Sequence, residues 1–190
     1  MRPRGVPRRA LLTLSAALAL AIPRCAGQES LPKAKDVVSP RAYVSLDPVP
    51  RGRAFDVAVV MKIRPGFHVN AREVSEEYLI PTDLSANLPP GVRLAATHYP
   101  KGTQRQMSFS KTPLNVYEGS VTLLMTLRAL GDAPLGPQAL ALGLRYQACS
   151  EHACLPPVTL PVEAKFEVAP TGTAVRRMHP EIFAAQNPSR

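Results

Sequence analysis

The chain has 190 residues, of which 45% are hydrophobic, 19% charged and 5% aromatic, a composition that excludes a disordered or low-complexity polypeptide and fits a single domain. Its formal charge of +9 does not mark a nucleic-acid binder. Five of the 23 basic residues and none of the 14 acidic ones precede residue 28, and Arg176, Arg177 and Arg190 lie at the far end, so the body between is close to neutral.

From the N-terminus, Arg2, Arg4, Arg8 and Arg9 precede the thirteen-residue apolar run ALLTLSAALALAI, which is too short to span a bilayer and has the length of a signal-peptide core. Residues 1–27 are therefore expected to be a signal peptide cleaved before Gln28, with the small residues Cys25 and Gly27 at positions −3 and −1. Arg24 stands where a lipidated Cys25 would want a small residue. A buried N-terminal helix would need Leu, Ala and Ile on every face beside the arginines, which a soluble domain rarely accommodates. No second apolar run approaches the roughly eighteen residues of a membrane span, so the mature protein is expected to be soluble, monomeric and periplasmic.

Residues 28–40 are polar and unpatterned and read as a flexible leader. Period-two alternation follows. Phe55, Val57, Val59, Met61 and Ile63 share one face of a strand over residues 54–63; Val121, Leu123, Met125 and Leu127 do so in the next strong run, and Leu140, Leu142, Leu144 and Tyr146 in the one after. The clearest case covers residues 158–168, where Val158, Leu160, Val162, Ala164, Phe166 and Val168 alternate with Thr159, Pro161, Glu163, Lys165 and Glu167. Pro161 predicts an edge position or a donor turned to solvent. Weaker strands are expected over residues 42–46, 79–84 and 92–99, with one turn of helix over residues 73–78. Gly- and Pro-rich turns separate the runs, and 18 of the 21 prolines follow residue 27, leaving little room for long helices. The pattern predicts an all-β fold, an immunoglobulin-like antiparallel β-sandwich over residues 41–170. Residues 171–190 lose the alternation and are expected to form a disordered tail with Ile182 and Phe183 as its one anchor.

The strongest local feature, Tyr146-Gln147-Ala148-Cys149-Ser150-Glu151-His152-Ala153-Cys154-Leu155-Pro156-Pro157, falls where one strand ends and the next begins. Without Cys25, the mature chain holds only Cys149 and Cys154, which have one possible pairing. A bond across about six residues restrains the unfolded chain by only about 2 kcal/mol, and a body of this length buries about two-thirds of its unfolded surface unaided. A short, loop-borne bond of that kind has the profile of a redox pair rather than a staple. The alternative is a non-catalytic β-sandwich binding module with a structural disulfide. His152 is a possible modulator of a nearby thiolate. A zinc site on Cys149, His152 and Cys154 lacks a fourth ligand, since His68, His98 and His179 stand far away in sequence, and no metal is expected. His68 alternates with Phe67 and Val69 and reads as a satisfied structural histidine. No hydrolase, protease or nucleotide-binding motif is present.

Tyr146-Gln147-Ala148-Cys149 followed by Cys154-Leu155-Pro156-Pro157 resembles the Y-Q-x-C…C-x-P-P motif of the N-terminal domain family of the thiol:disulfide interchange protein DsbD. Gly66-Phe67-His68-Val69-Asn70, Tyr78-Leu79-Ile80-Pro81-Thr82, Tyr99-Pro100-Lys101-Gly102 and Val116-Tyr117-Glu118-Gly119 resemble stretches of that family in the same order, over roughly residues 41–168. The resemblance implies a protein-disulfide reductase module whose cysteine pair passes electrons from a membrane-embedded donor to thioredoxin-fold proteins outside the cytoplasm. It implies that Cys154 forms the mixed disulfide, that Cys149 resolves it, and that Phe109 lies in an aromatic cap loop, where the residue types alone fit core packing equally well. No cofactor is needed, because the pair carries both electrons. The chain departs from the family in two ways: these residues contain no membrane module or C-x-x-C domain, so electrons are expected from another protein. The stretch Gln104-Arg105-Gln106 also lacks the acidic residues common beside the family's cap aromatic.

Overall fold

A computed structural model describes residues 31–184. The expected export signal, Cys25 included, lies outside the described residues, as does the end of the tail. After a 3₁₀ turn at Ala34–Asp36 come β1 (Val38–Val44), β2 (Leu46–Asp47), β3 (Val49–Pro50), β4 (Ala54–Ile63), β5 (His68–Asn70), β6 (Asp83–Asn87) and β7 (Val92–His98). The second half holds β8 (Thr103–Arg105), β9 (Leu114–Tyr117), β10 (Ser120–Ala129), β11 (Gly136–Tyr146), β12 (Ala148–Cys149), β13 (Val158–Ala169), β14 (Arg176–Arg177) and the short helix α1 (Pro180–Phe183).

Two four-stranded sheets, β1-β4-β10-β7 and β3-β13-β11-β6, form the immunoglobulin-like sandwich. Alternation explains which faces meet. Val57, Val59 and Met61 of β4, with Leu123, Met125 and Leu127 of β10, share one buried cluster with Leu140, Leu142 and Leu144 of β11 and Phe166 and Val168 of β13. Each such side chain, fully buried, contributes about 1.5–3 kcal/mol relative to exposure. The Phe55 and Phe166 rings, 5.1 Å apart and tilted by 44°, join the first sheet to the second. Pro161 pairs with Gly143 on one side, and among the described residues the neighbour on the other side of β13, β3, reaches only Val168 and Ala169. On that open side the missing donor of Pro161 has no strand partner to lose.

A third sheet, β12-β5-β9-β8, stands beside the sandwich and carries the candidate site. It has its own small cluster of Leu79, Met107, Leu114 and Val116, with Val74 against it. Gly102, before β8, has to be a glycine here: a Cβ would stand 2.3 Å from Asn115 Oδ1 and 2.7 Å from the Ala71 Cβ.

The structure differs from the sequence reading at several places. β1 begins at Val38, inside the segment read as leader, because Val37 and Val38 are buried and the Tyr146 hydroxyl donates to Ala34 O at 2.8 Å. Burial of that phenol pushes its pKa up to about 12. In the segment read as tail, β14 pairs with β2, Arg176 bonds Asp47 at 2.7 Å, and the His179 ring meets Tyr43 edge-on at 4.9 Å. Residues 73–78 are bends and a turn rather than helix. Groups of β9 hold them: Asn115 Nδ2 donates to Glu73 O, and Asn115 N to Ser75 Oγ. The strand expected over residues 79–84 is instead β6, displaced towards Asn87. Among the described residues, no helix is long and apolar enough to cross a membrane.

Candidate functional site

β12 leaves the sandwich from the end of β11 and turns back on itself. The Leu155 amide donates to Ala148 O and the Ser150 amide to Ala153 O, both at 2.8 Å, so Cys149 and Cys154 face each other between two hydrogen bonds of an antiparallel ladder. Such a non-hydrogen-bonded pair brings side chains closest, and here the two sulfurs are joined in a disulfide, with the Cα atoms 3.9 Å apart. The turn between them closes on Ser150, whose hydroxyl oxygen accepts from the His152 and Ala153 amides. His152 sits on this turn, exposed.

The two cysteines differ in access. Cys149 is fully buried at 0% exposure, whereas Cys154 is partly exposed and is followed by exposed Pro156 and Pro157. The buried side is braced by polar groups. Gln147 Oε1 accepts from Asn70 Nδ2 at 3.1 Å and from the Ile80 amide at 3.2 Å, Asn70 Nδ2 donates also to Ile80 O, and the Thr82 hydroxyl donates to Asn70 O at 2.6 Å. These bonds lock Gln147, two residues before Cys149, to β5 and to the segment leading into β6. In the sequence, Gln147, Asn70 and Thr82 stand out only as parts of the family-like stretches, and the one signal for the network is that His68 and Asn70 fall on one face of a strand.

The loop between β8 and β9 reaches the same hairpin. Within it, Met107 is buried and Phe109 is 40% exposed, so Phe109 is no core residue. Ser108, its neighbour, donates a hydrogen bond from its hydroxyl to Glu151 O on the cysteine turn, and Gln106 Nε2 braces the loop through Ser110 O at 2.6 Å. Arg105, at the end of β8, grips Glu118 through Nε at 3.0 Å and Nη2 at 2.6 Å.

His68 of β5 pairs directly with Cys149 of β12. It is 2% exposed, and its Nε2 has no hydrogen-bond partner among the described residues, so it is not the satisfied histidine that its sequence setting suggests. Burial holds its pKa below the usual 6.5, against Glu118 and Glu151, which pull upward, and with Arg105, which lowers it further. No three His, Cys, Asp or Glu side chains converge as metal ligands among the described residues.

Fold and site define an immunoglobulin-like domain with a cysteine pair on a short hairpin. Residues 34–165 match the family described as "Thiol:disulfide interchange protein DsbD, N-terminal", and the chain belongs to that family, a thiol–disulfide interchange module. Among solved structures, it is similar to the N-terminal periplasmic domain of ScsB from Proteus mirabilis, at 12% identity and a TM-score of 0.48. The match covers 70% of this chain and 47% of that one, so the chain spans about half the length of this solved relative. No curated protein matches the chain.

Proposed function

We propose that this chain is a periplasmic disulfide-exchange module that takes electrons from a membrane-embedded donor and hands them to thioredoxin-fold partners through Cys149 and Cys154. The observation that carries this reading is the asymmetry of the pair: one sulfur belongs to a partly exposed residue at the outer limb of a hairpin, the other to a fully buried one. Exchange needs in-line approach to one sulfur and a second sulfur held in reserve. Membership of the interchange family supports the same direction. Measuring the reduction potential of the pair by equilibration with glutathione tests the reading. A value above about −300 mV is expected of an exchanging pair, and a lower one, with no transfer to a thioredoxin-fold protein, marks a structural staple in a binding module.

Phe109 is proposed as the cap. Ser108 bonds the carbonyl of Glu151 on the cysteine turn, which holds the loop that carries Phe109 against the hairpin. Phe109→Ala is expected to raise the rate at which glutathione reduces the wild-type disulfide severalfold. Its melting temperature should barely move, because the ring is already 40% exposed. A stable Phe109→Ala variant with an unchanged glutathione rate would remove the cap role. His152, exposed on the same turn, is proposed to favour the Cys154 thiolate modestly.

A further inference from the structure

We propose that His68 is the proton acceptor that activates Cys149 when the pair resolves a mixed disulfide, an inference that rests on the exchange reading above. Directly paired residues in an antiparallel ladder project from the same face, with Cβ atoms about 4.5–5.5 Å apart. Register therefore puts the His68 imidazole beside the Cys149 side chain. Asn70, two residues on, shares that face; its Nδ2 is committed to Gln147 and Ile80, while its Oδ1 and His68 Nε2 both lack a partner among the described residues. A buried nitrogen without a partner is uncommon, and such orphans call for a role.

Cys149 needs such a group. It is fully buried, where a thiolate is poorly solvated and the thiol form is favoured, yet only the thiolate attacks a disulfide. The charged side chains acting on His68 are Glu118, before β10, Glu151 on the cysteine turn, and Arg105 on β8. Burial outweighs the two carboxylates and keeps the imidazole neutral at pH 7, the form able to take a proton. In the first step, the Cys154 thiolate attacks the partner's disulfide, forming a Cys154–partner bond and releasing one partner thiolate. In the second, the Cys149 S–H bond breaks and its proton passes to His68 Nε2. The sulfur electron pair then forms the Cys149–Cys154 bond as the Cys154–partner bond breaks. The second partner sulfur leaves as a thiolate, and the imidazolium gives its proton back to that sulfur or to water. Two electrons leave the cysteine pair and reduce the partner's disulfide.

The test uses the purified, reduced protein and stoichiometric Ellman's reagent, whose first thionitrobenzoate release reports attack by the exposed cysteine and whose second reports resolution. In wild type, the second step should hold a plateau between about pH 6.5 and pH 8 and fall off below it as His68 protonates. His68→Gln, which cannot take up a proton, should slow the second release by about 10- to 100-fold at pH 7, with the difference narrowing at higher pH as the buried thiol ionises unaided. The first release should change little. Equal second-release rates in wild type and a folded His68→Gln would overturn the proposal. If the variant loses its β circular dichroism, the wild-type profile decides alone: a log-linear rise with pH and no acid-side inflection overturns it. A wild-type protein that never makes the second release would overturn the exchange reading and this inference together, whereas exchange without the inflection sinks only the role of His68.

Discussion

Replacing Cys149 by serine is expected to capture a thioredoxin-fold partner as a stable mixed disulfide, and replacing Cys154 by serine to abolish capture. The expectation follows from burial. A partner's sulfur has to approach along the axis of the bond it breaks, and Cys149, at 0% exposure beneath its own hairpin, offers no such line, while Cys154 does. With Cys154 alone, the mixed disulfide forms and its forward resolution is lost; only the partner's released thiol can reverse it, and alkylation at quenching blocks that return. With Cys149 alone, the remaining thiol is buried and does not meet the partner. Non-reducing electrophoresis of each variant mixed with an oxidised thioredoxin-fold protein reads the difference as presence against absence of a band. Equal capture by both variants would reverse or erase the assignment of roles.

The second large effect is thermodynamic. Phe55→Ala should cost about 3–5 kcal/mol, a substantial part of a typical domain stability of about 5–15 kcal/mol. Phe55 is 2% exposed and lies against Phe166 at 5.1 Å, so truncation removes the ring that joins the two sheets and leaves a cavity bounded by stiff strands. Removing the disulfide through Cys149→Ser/Cys154→Ser should cost about 2 kcal/mol or less, since the bond closes so short a loop. Urea unfolding followed by circular dichroism compares the two directly. A larger loss from the double cysteine variant than from Phe55→Ala would make the bond a structural element first.

Long strands announce themselves in sequence because alternation has room to repeat. β4, β10, β11 and β13 have ten to twelve residues each, and their inward rows were readable one by one. β8 and β9 were not foreseen. Thr103, Gln104 and Arg105 of β8 are all exposed, and β9 offers only four residues, so neither carries a period. The apolar row that sets register in the long strands is missing from β8 and too short in β9. The same limit applies at the site. The spacing of Cys149 and Cys154 pointed to a loop-borne pair, whereas the placing of His68 opposite Cys149 needs the β5–β12 register. The tail misled because its hold on the fold is long-range and without alternation: Arg176 to Asp47, the Met178 amide to Ser45 O, and the His179 ring on Tyr43, none of which leaves an apolar row to read.

The separate cluster of Leu79, Met107, Leu114 and Val116 under the third sheet has a thermodynamic consequence. Cooperative units open at free energies set by the apolar surface they release, and this corner holds far less of it than the sandwich. Opening of the loop between β8 and β9 would break the Ser108 bond to Glu151 and bare the cysteine turn, while Tyr117 of β9 stays in the sandwich core and β4, β10, β11 and β13 keep their ladders. Opening of that loop is expected to cost less than global unfolding, so substitutions at Leu79 or Met107 should change accessibility of the disulfide more than the stability of the whole domain.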